Sequence, residues 1–229
     1  MDKGGEWIVG SQVPLDQPWR GLPKLLHMVV PAIRECLAHI GNVRPEMIPL
    51  LLCVAEKDRP GRLEGLDDRL FSDVQTELGV RFHPRSSVIP HGRVAGGLAM
   101  LQACKLLHEE RLPFCVIAGV DSYLVASTLA AYEEKSRLLT SQNSNGFIPG
   151  EAGAAVLVGA QSSMAFSVLA LAPARKKPRL TRKNHFAPTG WCKPSRLPWP
   201  TPARRWPTWT TASLTRTASN TGSRKPPWL

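Results

Sequence analysis

The chain has 229 residues and a formal net charge of +11, long enough for one large domain or two small ones with a sizeable core. Of its 29 Lys/Arg, 13 lie in residues 172–229 beside no acid at all, which leaves 16 basic against 18 acidic residues in 1–171. The basic pI of about 9.9 therefore describes the tail, and any nucleic-acid or anionic-membrane reading would apply only there.

Five cysteines, Cys36, Cys53, Cys104, Cys115 and Cys192, occur singly, with no Cys-x-x-Cys pair and no histidine at ligand spacing. That argues against a zinc site and against a disulfide framework. The start, Met1 to Glu6, lacks a charged-then-apolar leader, and no apolar run reaches the roughly 18 residues of a membrane span. The expectation is a cytoplasmic protein with no membrane partner, metal or cofactor.

Residues 1–21, rich in Gly, Pro and Trp, read as irregular or extended. From Pro23 to Ile40 the apolar set Leu26, Val29, Val30, Ile33, Leu37 and Ile40 recurs at spacings of three and four, one face of a helix closed by Gly41. Ile48 to Ala55 (IPLLLCVA) is an apolar run of strand length, expected to be covered on both faces. Gly65 to Leu78 places Leu66, Leu70, Val74 and Leu78 four apart, a helix stopped by Gly79.

After Ser86–Ile89 the chain turns through Pro90-His91-Gly92 and enters a helix from about Val94 to His108. Its opening, Ala95-Gly96-Gly97, costs helix stability, on the order of 1 kcal/mol per glycine against alanine, and predicts close approach by another backbone. Phe114 to Ala118 reads as a buried strand ending at Gly119, 123–135 as a helix, 136–150 as a polar loop, and Ala152 to Val158 as a third buried strand. Buried strands alternating with amphipathic helices predict layered α/β structure with a largely parallel sheet.

Two stretches carry a family resemblance. Val116-Ile-Ala-Gly-Val-Asp-Ser122 resembles the "V-x-A-G-G-x-[DE]-S" strand end of the β-ketoacyl synthases, and Asn145-Gly-Phe-Ile-Pro-Gly-Glu-Ala-Gly-Ala-Ala-Val-Leu-Val158 is similar to that family's "D-G-F-x-x-G-E-G-A-[AG]-x-L-V-L". The motif residues are Gly119, Asp121, Ser122, Gly146, Phe147, Gly150 and Glu151. On its own, Gly-x-x-Gly-Glu could be an ordinary loop-to-strand turn; the first motif in its place upstream is what makes the second specific.

The resemblance implies the N-terminal half of a thiolase-like fold built from two βαβαβαβ halves, homo- or hetero-dimeric, working on acyl thioesters or an acyl carrier protein. It implies Claisen condensation through a nucleophilic cysteine at a strand-to-helix elbow, with two histidines supplied by the other half. Such a thiolate needs a lowered pKa, which a helix N-terminus provides.

The family's spacing back from Ala118-Gly119 puts that nucleophile at about Val94, within two or three residues, and no cysteine lies between Cys53 and Cys104. Reaching Cys104 would move it three turns into the helix, so Cys104 reads as a small core side chain. His91 is the polar side chain closest to the elbow and the candidate base or donor, against the ordinary reading of a solvated histidine in a turn. Glu151 reads as a support for its loop. Ser86, Ser87 and Ser122 have no local His/Asp arrangement to activate them. The second, histidine-bearing half and the family's opening strand are not recognisable, so 1–171 reads as a truncated domain without confident catalytic residues.

Residues 172–229 break every trend of the body, with five of seven Trp and ten of 21 Pro. Three readings are open: a disordered basic tail, a nucleic-acid binder through Arg/Lys and stacked Trp, or translation out of frame. Back-translated from Thr189 and read one nucleotide earlier, the tail permits DGLVQAIKAALADAG and, further on, VDYRIAD and NGEQYWFKE. The shifted text regains acids, helical periodicity and a strand. A frame change near 171–174 is therefore the favoured reading. In the shifted text the family's histidine motif reads A-N-G-E; with the cysteine lost as well, this implies a parent ketosynthase-like protein without condensing chemistry. The alternative function is a non-catalytic partner subunit of a ketosynthase dimer.

Overall fold

A computed structural model describes residues 2–159; the predicted tail, its boundary at Leu171 and Cys192 lie outside them. Four helices, α1 (Gly21–Ala38), α2 (Arg69–Leu78), α3 (Ala95–His108) and α4 (Ala126–Glu134), accompany four strands, β1 (Leu50–Cys53), β2 (Ser87–Ile89), β3 (Phe114–Ser122) and β4 (Glu151–Gly159). The strands form one sheet in the order β2-β1-β3-β4. β1 runs parallel to β2 and β3, and β4 runs antiparallel to β3, so the predicted layered α/β fold has a mixed, mostly parallel sheet.

Alternation along the strands divides the core in two. Leu50, Leu52, Val116, Ala118 and Val120 face one side with α1 and α2; Leu51, Cys53, Cys115 and Ile117 face the other with α3. The fully buried β1 thus explains the unbroken apolar run, since both of its faces are covered. In α1 the buried stripe is Leu25, Met28, Val29, Val30 and Ile33, with Leu26 and Leu37 only partly buried at its border.

Four expectations are corrected. α2 begins at Arg69 and not Gly65, because Gly65 is left-handed (φ 78°) and Asp68 takes the N-cap, accepting from the Arg69 amide at 2.7 Å. α4 begins at Ala126 because the Tyr123 amide is drawn to the Gly150 carbonyl (2.9 Å). β3 does not end at Gly119 but runs to Ser122, held by antiparallel pairing from Gly119↔Ala154 to Ser122↔Glu151. β4 is not buried on both faces. Among the described residues it is an edge strand of this sheet, as β2 is on the other side, with Ala152, Ala154 and Val156 exposed on the face that α3 leaves uncovered.

On its other face β4 lies against α1. A Cβ on Gly153 would collide with the Met28 carbonyl, so the contact between helix and strand depends on the missing side chain. No helix among the described residues is long and apolar enough to cross a membrane.

Candidate functional site

The elbow between β2 and α3 is built from a short 3-10 turn, Gly92–Val94, that leads directly into the helix. Gly92 is left-handed (φ 50°), and a Cβ there would collide with the Glu56 carboxylate. Its amide donates to the Val54 carbonyl (3.1 Å), which ties the elbow to the end of β1. Val94 caps α3 with no side-chain hydrogen bond and is 63% exposed. Its own amide donates to the His91 carbonyl (3.3 Å) and the Ala95 amide to that of Gly92, so it stands at the positive end of the α3 dipole with its first amides held by the 3-10 turn.

The next three residues, Ala95, Gly96 and Gly97, leave the first turn nearly bare. The predicted close backbone approach is not found there: among the described residues, a Cβ on Gly96 or Gly97 meets nothing within 4 Å. The glycines instead face open space beside an apolar cavity of about 380 Å³ between the elbow and β3 and β4, whose walls include Cys53, Ile117, Gly119, Ala154 and Val156.

His91 is exposed and faces the opposite groove, between β2 and α3, with Ser87, Leu98, Gln102 and Lys105. The structure therefore separates it from the motif residues on β3 and β4. Cys104 lies in the third turn of α3, half-buried and beside the buried stripe of Ala99, Ala103 and Leu107, not in the core as expected. Cys53 does line the elbow cavity, but burial pushes its thiol up to about 11, which withholds the thiolate at neutral pH.

The two motifs meet at the far end of β3 and β4. Ser122 pairs with Glu151 across the strands, and its hydroxyl donates to Glu151 Oε2 at 2.8 Å. The Glu151 side chain is fully buried; Lys24 of α1 reaches it at 2.7 Å, and the Val13 amide donates to it at 3.1 Å. Glu151 thus fastens β4, α1 and the N-terminal segment together, consistent with a supporting part. Ser86 and Ser87 are also structural: the Ser86 hydroxyl accepts from the Leu50 amide and donates to the His83 carbonyl, and Ser87 accepts from Gln102.

Gly146 lets the 136–150 loop cross itself, since a Cβ there would collide with the Leu138 carbonyl. Phe147 packs edge-on against Tyr123 and Tyr132, with ring centroids 5.5 and 5.6 Å away. Gly150 bridges to Ser11, which holds the N-terminal segment beside the loop.

Below this cluster lies a buried arginine that sequence reasoning missed. Arg59 donates to Asp121 and to Glu56 (2.6 Å), and its guanidinium sits 4.4 Å from the Tyr123 ring centroid. Burial works against its charge, but the two carboxylates outweigh that and raise its pKa. Glu56 is likewise penalised by burial, yet the Arg59 hydrogen bond holds its carboxyl below the usual range. Neither Arg59 nor Lys24 belongs to a recognised motif; Lys24 reaches Glu151 far away in the chain, and Arg59 joins Glu56, three residues before it, to the distant Asp121. Among the described residues no His/Cys/Asp/Glu group could hold a metal ion.

No family model and no curated protein matches the chain. Several solved structures do. PksG, an HMG-CoA synthase from Bacillus subtilis, is 18% identical over 62% of this chain and 30% of its own, with a TM-score of 0.42. The ketosynthase from module 6 of the bacillaene synthase of Bacillus subtilis 168 is 14% identical over 58% of this chain and 24% of its own, with a TM-score of 0.42. A 3-oxoacyl-(acyl-carrier-protein) synthase III is 13% identical over 61% of this chain and 37% of its own, with a TM-score of 0.39. The chain spans between a quarter and two-fifths of the length of these three structures.

Proposed function

We propose that residues 1–171 are the N-terminal half of a β-ketoacyl-synthase-like protein that keeps the acyl-transferase scaffold but not the condensing chemistry. The observation that carries this reading is the elbow: a bare helix N-terminus at Val94, where the motif spacing requires a nucleophile, presents an aliphatic side chain. Valine forms no thioester, and without the covalent acyl-enzyme the nucleophilic contribution is lost. The motif residues Ser122, Gly146, Phe147, Gly150 and Glu151 serve the scaffold through the contacts described above.

The elbow can be tested by giving it the missing atom. The chain as it stands is expected to take no label from an acyl-chain epoxide of the cerulenin type at pH 7. Val94→Cys is expected to take the label, with a thiol pKa below the ordinary 8.5 or so because it sits at the positive end of the helix dipole. Labelling of the unaltered chain at Cys104, or an introduced elbow thiol no more reactive than free cysteine, would count against this reading.

A second reading is favoured by the uncovered apolar residues Val94, Leu98 and Val156: a non-catalytic subunit that pairs with a second, active synthase or with its own copy, and engages the same acyl carrier protein or acyl thioester. It predicts co-purification with a ketosynthase subunit in the cytoplasm. Residues 172–229 are proposed to be out-of-frame translation, supported by their 13 basic and zero acidic residues. The nucleotide sequence across codons 165–180, with mass spectrometry of the C-terminal peptides, tests this. A gene that reads through unchanged, with the tail peptides present in cells, refutes it. Nucleic-acid binding by the tail would instead show as salt-dependent affinity lost on its deletion.

A further inference from the structure

A second cavity, of about 530 Å³, opens beside the paired ends of β3 and β4, on the loop side of the sheet. Its walls combine Tyr123, Phe147 and Ile148 with Arg93 and Arg137. Two carboxylates also reach it, but both are already committed. Asp121 accepts from Arg59 and from the Ser122 amide. Glu151 accepts from Lys24, the Ser122 hydroxyl and the Val13 amide.

The two arginines are in the opposite condition. Both are exposed, and neither makes an ion pair among the described residues. Arg93 acts through its charge on Glu56, which Arg59 already holds at 2.6 Å. The cavity therefore carries two exposed guanidinium groups with no salt-bridge partner among the described residues, next to an aromatic wall and an isoleucine that is 53% exposed. The volume falls in the range of ligand sites, where a mostly apolar lining with a few polar groups fixes orientation.

We propose that this cavity binds an alkyl carboxylate, with the head between Arg93 and Arg137 and the chain along Phe147 and Ile148. Arginine suits the head because its planar fork meets a carboxylate with two parallel hydrogen bonds, each strengthened by charge. The apolar wall supplies the part of the affinity that does not depend on charge. The inference does not rest on the family reading, since it uses neither the elbow nor any acyl-transfer step.

Calorimetric titration of the 229-residue chain with sodium dodecanoate below its micelle concentration tests this. Saturable binding is expected, weakening as sodium chloride is raised. Dodecanol should bind at least tenfold more weakly. The double substitution Arg93→Gln/Arg137→Gln should weaken dodecanoate at least tenfold, whereas Arg44→Gln, outside the cavity, should leave it unchanged. If the double variant loses its circular dichroism spectrum, Ile148→Asp, which puts a negative charge on an exposed wall residue, decides, again with a loss of at least tenfold. No saturable binding, equal affinity for the alcohol, or full affinity in a folded double variant or in Ile148→Asp overturns the proposal.

Discussion

The two faces of the sheet are made from the same strands but are closed to different degrees. On one face α1 and α2 cover Leu50, Leu52, Val116, Ala118 and Val120. On the other, among the described residues, α3 covers Leu51, Cys53, Cys115 and Ile117, and the outward residues of β4 are exposed. Both faces carry a buried core, but only the α3 face leaves a strand partly open, and the outward residues of β4 can be changed at little cost to stability.

The contrast predicts unequal responses to the same kind of substitution. Leu52→Ala deletes a side chain with no exposed surface and is expected to destabilise the chain by about 2–5 kcal/mol. Val156→Ala, on the open face and 51% exposed, is expected to change stability by no more than about 0.5 kcal/mol. Urea unfolding of both variants measures the difference. Equal losses would mean that something outside residues 2–159 covers β4, and the distinction between the faces would fail.

A smaller effect is expected where the closed face meets β4. In Gly153→Ala the new methyl would run into the Met28 carbonyl oxygen, a backbone atom that cannot move without α1. The expected loss is about 1–3 kcal/mol, the usual range for overpacking. On the neighbouring strand, Gly119→Ala meets only Cys53, at ordinary contact distance (3.7 Å), and should cost less. Reversal of that order would place the tight contact on the α3 side.

This division of labour was partly legible in the sequence. The β1 run IPLLLCVA and the periodicity of 23–40 announced a strand closed on both sides and a helix against it, because burial acts through local spacing. The openness of β4 was not legible. AGAAVLV has the same composition whether one face or both are covered, and only the strand order reveals an edge. The turn into α3 was legible in Pro90-His91-Gly92, yet His91 faces a different groove from the cavity beside the elbow, a matter of side-chain direction that the sequence does not carry. Lys24 and Arg59 escaped notice for a related reason: a buried ion pair between distant segments leaves no local pattern.

The smallest effect sharpens the comparison by pH. Burial pushes the Cys53 thiol up to about 11 and the Cys115 thiol up to about 12, and both lie on the α3 face. A raised pKa means that the folded chain holds these protons after the unfolded chain has begun to release them. Their contribution is thus complete below the unfolded value near 9 and is lost as pH rises from there through 11 and 12. Each group should account for a loss on the order of 1 kcal/mol at about pH 10. The melting temperature should accordingly decline between about pH 9 and 11 in the parent chain and decline less in Cys53→Ala/Cys115→Ala. An unchanged slope in that variant would show that these thiols reach water, and the α3 face would then be open through to the strands rather than only at β4.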